Sequence, residues 1–119
     1  MTWTPRAIGT AKYAAVPTVV DGVRFASKKE ARRYAELRLL EQAGQIRELE
    51  LQPVYVLHVS QAAHPFVRAS VGKYVADFRY REGPQGLLVV EDVKGCKTPV
   101  YRLKKRMVAA EYGVIVRET

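Results

Sequence analysis

The amino-acid sequence predicts a single α/β domain in which two helices flank a mixed central β-sheet of four or five strands. The chain has 119 residues, enough for one compact domain, and 48% of them are hydrophobic, so a core can form. Two segments carry helix-capping signals, and several short runs of β-branched and aromatic residues predict strands. We place the domain at residues 19–119 and interpret residues 1–18 as a flexible basic arm, from which Arg6 and Lys12 could reach a phosphate backbone.

Residues 19–25 predict a β-hairpin around Asp21-Gly22, because Asp-Gly is the strongest short-range signal of a hairpin turn. We therefore interpret Asp21 as a turn residue and not as a ligand. Further along, residues 46–59 predict a strand region with Pro53 near its start. Proline there argues for an edge position or for a strand that begins after it. Residues 61–72 are predicted to form a loop.

The first helix is predicted from Ser27 to about Ala43, with Gly44 as its stop. Ser27 is a good N-cap, and Glu30 falls at the third helical position, as in a capping box. Glu30 therefore has two interpretations that the spacing leaves open: the capping partner of Ser27, or an acidic residue of an active site. The first two turns are strongly basic. Their cationic side chains are expected to contact phosphate groups: Lys28, Lys29, Arg32 and Arg33.

A second hairpin is predicted from residues 73–80 and 87–95, with a cluster of turn formers between them. Asp77 stands within the first of these strands, although aspartate is depleted in strand interiors. If Pro84-Gln85 is the centre of the turn, Asp77 lies directly opposite Asp92. Opposed residues of an antiparallel pair have Cβ atoms about 4.5–5.5 Å apart. Two carboxylates that close repel each other unless a cation lies between them or one is protonated.

Side chains alternate along a strand, so Asp92 and Lys94 are predicted to share one face while Glu91 points to the other. We interpret Glu91 as a structural or salt-bridging residue. An ordinary alternative for the whole pattern is a solvated hairpin end, in which Asp92 pairs with Lys94 and Asp77 forms a surface ion pair with Arg79.

The second helix is predicted from Pro99 to about Glu111, with Thr98 as N-cap and Gly113 as its stop. Residues 114–117 then predict a closing strand. The buried side of the helix is expected to consist of Tyr101, Leu103, Met107, Val108 and Ala110. Basic side chains of the helix and of the segment before it are expected to contact phosphate groups: Lys97, Arg102, Lys104 and Lys105.

The chain is basic, with 20 Lys and Arg against 12 Asp and Glu and a net charge of +8. This balance predicts a polyanionic partner, most often nucleic acid, although a merely basic soluble protein is the ordinary alternative. The single cysteine excludes an intramolecular disulfide, and we find no long apolar run and no signal peptide, so we expect a cytoplasmic protein that does not bind membranes. The spacing of His58, His64 and Cys96 is not that of zinc ligands. His58 is expected to point to solvent or to a neighbouring strand.

The pattern Asp77 … Asp92-Val93-Lys94 resembles the signature of the PD-(D/E)XK nuclease superfamily, which carries an Asp on one strand and a (D/E)-x-K triplet on the next. Ala76 stands where that signature has its proline. Several segments together also resemble a small phage-encoded family that bears a domain-of-unknown-function label and is regarded as endonuclease-like. The resemblance covers nearly all of residues 18–118. The segments are GVRFASKKEARRY at 22–34, LELQP at 49–53, YVADF at 74–78 and EDVKG at 91–95.

The resemblance implies a restriction-endonuclease-like core and a Mg²⁺-dependent DNA endonuclease, with Mn²⁺ as a substitute and no small-molecule cofactor. Asp77 and Asp92 would bind the metal together with the carbonyl of Val93, as hard oxygen ligands suit Mg²⁺. Lys94 would orient the attacking water and offset negative charge in the transition state. Glu30 matches a catalytic Glu on the helix before the hairpin in similar phage junction-resolving endonucleases, and it would bind a second metal ion or its water.

The expected substrate is branched DNA, such as a Holliday junction in phage recombination or DNA processing, and the expected assembly is a homodimer that presents two sites to one DNA. Two alternatives stay open. One is a basic DNA-binding or accessory module with a degenerate nuclease site. The other is an RNA nuclease, because no reader of the 2′-hydroxyl is identifiable and phosphate contacts look alike.

Overall fold

The computed structural model describes residues 16–94 and 97–119. Nearly all of the predicted arm, with Arg6 and Lys12, lies outside these residues, as do Gly95 and Cys96. In chain order the elements are β1 (Thr18–Val20), β2 (Val23–Phe25), α1 (Lys28–Gln42), β3 (Ile46–Leu51), β4 (Val54–Ser60), β5 (Arg68–Val75), β6 (Phe78–Glu82), β7 (Leu87–Asp92), α2 (Pro99–Tyr112) and β8 (Arg117–Glu118). Among the described residues, no helix combines the length and the apolar character needed to cross a membrane.

A four-stranded mixed sheet forms the centre of the molecule, with the strand order β3-β6-β7-β8. Strands β3, β6 and β7 are antiparallel neighbours, whereas β8 runs parallel to β7. Two further antiparallel pairs, β1-β2 and β4-β5, form sheets of their own. The predicted fold class is confirmed: the chain forms one α/β domain with a mixed sheet and two helices.

The two faces of the central sheet bury separate hydrophobic clusters, because side chains alternate along β6 and β7. On one face, Phe78, Tyr80 and Val89 pack with α1 and with the β1-β2 hairpin. On the other face, Val90 packs with α2 and with the β4-β5 hairpin. Each helix therefore covers one face, and the ends of β6 and β7 lie between the two clusters.

The register of the β6-β7 hairpin agrees with the prediction, since Tyr80 pairs with Val89 and Phe78 with Glu91. One further step places Asp77 opposite Asp92. The turn is closed by a hydrogen bond from the amide of Gly86 to the carbonyl of Gly83, at 3.1 Å. Both glycines have positive φ angles, of 73° and 66°, which explains why the turn needs glycine on each side of Pro84-Gln85.

The prediction that residues 73–80 form one continuous strand is wrong. Strand β5 ends at Val75 and β6 begins at Phe78, and the two belong to different sheets. Ala76 and Asp77 carry the chain from one sheet to the other. Asp77 therefore lies at a strand junction and not in a strand interior, which removes the conflict with the low strand propensity of aspartate.

The helix boundaries agree closely with the capping signals. Ser27 accepts a hydrogen bond from the amide of Glu30 at 3.1 Å, and Thr98 accepts one from the amide of Tyr101 at 3.1 Å. Gly113 ends α2 with a φ of 68°. The predicted Asp21-Gly22 turn is confirmed too, since both residues have positive φ angles. Signals of this kind act within a few residues, so helix ends can be predicted without knowledge of the tertiary fold.

Other predicted boundaries are wrong. Strand β5 begins at Arg68 within the predicted loop 61–72, because pairing with β4 overrides a segment with little apolar alternation. Residues 46–59 do not form one strand region but two strands, β3 and β4; the prediction of a strand that begins after Pro53 is confirmed by β4. Leu103 is 55% exposed instead of buried. Ala110 is also exposed, and the closing strand is Arg117–Glu118 instead of residues 114–117.

His58 contacts helix α2 as well as the neighbouring strand, a contact that the sequence did not predict. Its Nδ1 lies 2.5 Å from Oε2 of Glu111, and its backbone amide donates to Oε1 of the same carboxylate at 2.8 Å. Arg68 of β5 also donates to Glu111 at 2.7 Å. These contacts fix the C-terminal end of α2 against the β4-β5 hairpin.

Glu91 lies on the α1 side of β7 and is fully buried. Its carboxylate accepts two hydrogen bonds from Arg33, from Nε at 2.6 Å and from Nη2 at 2.9 Å. The Tyr80 hydroxyl and Thr119 Oγ1 also donate to it. The prediction that Glu91 is a salt-bridging residue facing away from Asp92 is confirmed, and Arg33 thereby acquires a structural role.

We expect Arg33→Ala to lower the free energy of unfolding by about 3–5 kcal/mol, because it leaves the Glu91 carboxylate buried without its counter-charge. Urea denaturation would measure the loss. Arg32→Ala is the matched control: Arg32 is the preceding residue of the same helix and is exposed, so its removal should change stability by no more than about 0.5 kcal/mol. Equal effects of the two substitutions would show that the buried ion pair is not important for stability.

Candidate active site

The candidate site is built at the carboxyl end of β7, where Asp77 and Asp92 meet. The backbone amide of Asp77 donates to the carbonyl of Glu91 at 3.1 Å, which continues the hairpin ladder by one residue. The Asp77 side chain accepts a hydrogen bond at Oδ2 from the amide of Val93, at 2.7 Å. Asp92 is only 2% exposed. The two carboxyl groups interact directly.

Asp92 has two further partners, both on the α2 side of the sheet. The Tyr74 hydroxyl donates to Oδ2 of Asp92, and Nζ of Lys94 lies 3.1 Å from Oδ1. The Lys94 ammonium also lies 4.1 Å from the centroid of the Tyr101 ring, close enough for a cation–π interaction. The predicted shared face of Asp92 and Lys94 is therefore present, and Lys94 is held between a carboxylate and an aromatic ring.

The electrostatics of the pair are unfavourable for two negative charges. The pKa of Asp77 is raised to about 6: burial is the largest cause, hydrogen bonds with Asp92 and Val93 oppose it, and the Glu30 carboxyl adds to it. The pKa of Asp92 is raised to about 7, mainly by burial and further by Asp77, against the opposing hydrogen bonds from Tyr74 and Lys94. The pair therefore holds a proton at a pH at which isolated aspartates would be ionised.

Glu30 approaches the same pair from the first turn of α1. Its backbone amide is capped by Ser27, and its carboxyl group interacts with that of Asp77. The backbone amide of Glu30 thus takes part in the N-cap of α1, while its side chain contacts the site. This placement favours the second of the two interpretations that the sequence left open, an acidic residue of the site.

The solvated hairpin end that we considered as an alternative does not describe these contacts. Arg79 pairs with Glu50 at 2.5 Å and donates to the Tyr55 hydroxyl at 3.1 Å, and is therefore engaged away from Asp77. Asp77 is half-buried and faces two other carboxyl groups. The Asp92–Lys94 pair of that alternative does form, but within the protein interior.

The donor set fits a hard divalent cation. Residues 16–94 and 97–119 contain no ready-made group of three or more His, Cys, Asp or Glu side chains arranged to bind a metal ion. Mg²⁺ does not require one, since it keeps several waters and is usually held by one or two carboxylates together with substrate phosphate. Two adjoining carboxyl groups with raised pKa values form such a set, because a cation between them would relieve their repulsion.

The basic side chains that we predicted to contact phosphate differ in their surroundings. Arg33 is engaged by Glu91 and Glu36. Lys97 and Lys105 both pair with Glu118, at 3.0 and 3.3 Å. The exposed members of the set are Lys28, Lys29, Arg32, Lys97 and Arg102, whereas Lys104 and Lys105 are half-buried.

Sequence reasoning missed the two tyrosines of the site. The sequence pattern indicates only a strand position for Tyr74 and a buried position on α2 for Tyr101. Their contacts with Asp92 and Lys94 join segments that lie 18 and 7 positions apart in the chain. No local pattern marks such contacts, although an aromatic hydroxyl next to a predicted buried carboxylate is a reasonable candidate for its donor.

Comparison with known families shows to which family the chain belongs. A family model described as a protein of unknown function, DUF1064, matches residues 10–118. The chain belongs to the DUF1064 family. No match to this DUF1064 protein was found among curated proteins or solved structures. The resemblance to PD-(D/E)XK nucleases and the catalytic roles of Asp77, Asp92, Lys94 and Glu30 stay predictions.

In an Asp77→Asn variant of this DUF1064 protein, we expect the pKa of Asp92 to fall from about 7 toward its ordinary range. The reason is that Asp77 raises this pKa through both a shared hydrogen bond and its charge. A carbon-13 NMR titration of the carboxyl groups, in EDTA, would measure the change. Asp21→Asn is the control, because Asp21 is an exposed turn residue.

The Asp77→Asn variant also tests how the raised pKa of Asp92 affects the stability of the fold. The folded pKa of Asp92 lies above the unfolded value of about 3.9, so the folded state binds the proton more tightly. Stability from this group is therefore present at low pH and is lost as the pH rises from about 4 to about 7. We expect Asp77→Asn to gain stability relative to the wild type across that window. An Asp92 pKa that stays near 7 in the variant would contradict the coupling.

Proposed function

We propose that this protein is a metal-dependent nuclease that hydrolyses phosphodiester bonds of DNA at the end of β7. The observation that supports this best is the buried Asp77–Asp92 pair with Lys94 bound to it. Burying two ionised carboxyl groups against each other costs stability unless a cation offsets their charge or one of them is protonated. A metal site explains why the fold keeps both, and a phosphodiester substrate explains the positive charge around them.

The described residues can perform distinct parts of the reaction. Asp77 and Asp92 would hold Mg²⁺ through their carboxylate oxygens, with Glu30 as a further oxygen ligand or as an acceptor for a bound water. Bound Mg²⁺ would supply Lewis-acid stabilisation of the phosphate charge and lower the pKa of water. The Lys94 ammonium, beside Oδ1 of Asp92, would donate to the attacking water or to a phosphate oxygen.

Proton binding by the pair predicts how activity depends on pH. Both carboxyl groups must lose their protons to bind the metal, and their pKa values are raised to about 6 and about 7. Cleavage should therefore rise as the pH increases through this range. Glu91 takes no part, because Arg33, Tyr80 and Thr119 satisfy its carboxylate on the other face of the strand.

A second candidate function is a non-catalytic DNA-binding or accessory module. It is favoured by one observation: the described residues contain no group of three or more His, Cys, Asp or Glu side chains arranged to bind a metal ion. Such a module would bind DNA with strong salt dependence but would neither cut it nor respond to divalent metal ions. An RNA nuclease is a further alternative, because phosphate contacts alone do not distinguish the two nucleic acids. The preference for branched DNA and the homodimer also stay predictions.

The proposal is tested by cleavage of labelled four-way junction, linear duplex, single-stranded DNA and RNA, each with Mg²⁺, Mn²⁺ or EDTA. We expect metal-dependent cutting by the wild type and a loss of at least about a hundredfold in Lys94→Ala and Asp77→Ala, with binding retained. Glu82→Gln is the control, since Glu82 lies at the opposite end of β6 and pairs with Arg117 on the surface. Equal cutting by all variants would indicate a contaminating nuclease. No cutting with either metal would leave the binding module as the better proposal.

Metal binding can be measured without cleavage. We expect Mg²⁺ or Mn²⁺ to raise the melting temperature of the wild type in a concentration-dependent way, because a ligand that binds only the folded state stabilises it. The shift should be abolished by EDTA and greatly reduced in Asp92→Asn, but retained in Glu82→Gln. An Asp92→Asn variant that responds to metal as the wild type does would show that the metal binds elsewhere.

A further inference from the structure

A cavity that is distinct from the carboxylate pair opens on the α1 side of the ends of β7 and β8. It has a volume of about 290 Å³ and is lined by Lys29, Arg32, Arg33, Glu36, Val93 and Thr119. This volume lies at the lower limit of the roughly 300–1,000 Å³ that is usual for small-molecule sites. The cavity therefore suits a small group such as a phosphate, and three of its six lining residues are cationic.

The cations of this cavity are not equally available. Arg33 pairs with the buried carboxylate of Glu91 and with Glu36, the acidic lining residue, so its charge is offset within the protein. Lys29 donates from Nζ to the carbonyl of Lys94 at 3.0 Å, which uses one of its three ammonium hydrogens. Arg32 is exposed, and it makes no ion pair or side-chain hydrogen bond within residues 16–94 and 97–119. Arg32 and the remaining Lys29 hydrogens are thus free to bind an anion.

The cavity is joined to the carboxylate pair by a single residue of backbone. Val93 lines the cavity, while its amide donates to Oδ2 of Asp77. The carbonyl that Lys29 contacts belongs to Lys94, whose ammonium binds Asp92 on the other side of the sheet. A nucleic-acid strand with one phosphate at the carboxylate pair would therefore bring the adjacent phosphate close to Lys29 and Arg32.

We propose that this cavity is a subsite for an internal backbone phosphate, the one next to the phosphate that is hydrolysed, with Arg32 and Lys29 as its ligands. The inference rests on the proposed nuclease function and makes the substrate class more specific. A chain with a phosphodiester on each side of a nucleoside is recognised, and a mononucleotide is not. The planar guanidinium of Arg32 suits two phosphate oxygens at once.

The first test uses inorganic phosphate as the probe, with EDTA present and the ionic strength held constant with sodium chloride. In the ¹⁵N-labelled protein, we expect saturable shifts of the Val93 and Thr119 amide signals. Arg32→Ala should weaken this binding roughly tenfold, as expected for a lost hydrogen bond to a charged group. Arg47→Ala is the matched control, because Arg47 is an exposed arginine that lines no part of this cavity and lies at the far end of the sheet. Absent shifts, or equal weakening in both variants, would overturn the proposal.

The second test identifies which phosphate binds, using oligonucleotides in EDTA so that nothing is cut. We compare an unmodified strand with strands that carry one neutral methylphosphonate at successive positions, each with and without a 5′-phosphate. At one internal position, the methylphosphonate and Arg32→Ala together should weaken binding by less than the product of their separate effects. Such non-additivity shows that Arg32 contacts that phosphate. Arg32→Ala should also lower the salt slope by about 0.7, the value for one lost phosphate contact with a single strand. Coupling confined to the terminal phosphate would overturn an internal subsite.

The two proposals can fail separately. If DNA is never cut but Arg32 couples to an internal phosphate, the nuclease proposal fails and the subsite stands as part of a binding surface. If DNA is cut with metal and no internal position couples to Arg32, the subsite proposal fails and the nuclease proposal stands.

Discussion

Two consecutive carboxylates, Glu91 and Asp92, are buried at the end of β7 and point to opposite faces of the sheet. Each carboxylate therefore needs its own partner groups, because a buried charge without a partner costs roughly several kcal/mol of stability. Glu91 obtains it from Arg33: burial alone would raise its pKa, but the hydrogen bonds from Arg33 and Tyr80 hold that pKa below its usual range. Asp92 contacts Lys94 and Tyr74, which lower its pKa, but burial and the neighbouring Asp77 outweigh them, so its pKa is raised. Glu91 and Asp92 are neighbours in the chain, but only the carboxylate of Glu91 has its charge offset by a half-buried arginine.

The surrounding elements are arranged around this strand end. The amide of Thr119 donates to the carbonyl of Asp92, and the amide of Lys94 donates to the carbonyl of Thr119, so that the C-terminal segment extends β7 on one side. On the other side, Asp77 occupies the crossing between two sheets. A continuous strand would have kept Asp77 within a flat ladder. The crossing lets its side chain turn toward the amide of Val93 while its own amide still pairs with Glu91.

The parts of the structure that the sequence predicted correctly are those with local causes. Caps at Ser27 and Thr98 depend on residues three positions apart, and the β6-β7 register follows from the turn at Pro84-Gln85. The break at Asp77 was not predicted, because it arises where β5 leaves its partner β4. The commitment of Arg33 to Glu91 was also missed, since its cause is tertiary: the residues are 58 positions apart. Arg32 and Arg33 look alike in the sequence, but only the helix face that each one occupies decides which of them is available to a ligand.

Lys94 shows how the basic surface and the carboxylate pair are linked. Its ammonium lies between Asp92 and the ring of Tyr101, and the Tyr101 hydroxyl donates to Glu118 at 2.7 Å. Hydrogen bonds from Tyr101 and Lys97 lower the pKa of Glu118 to about 2, so this carboxylate is ionised at neutral pH. One half-buried carboxylate thus contacts the ring that supports Lys94 and also pairs with Lys97 and Lys105 at the end of β8. The position of Lys94 therefore depends on contacts from α2 and β8 as well as on its own strand, which explains why α2 must pack against this end of the sheet.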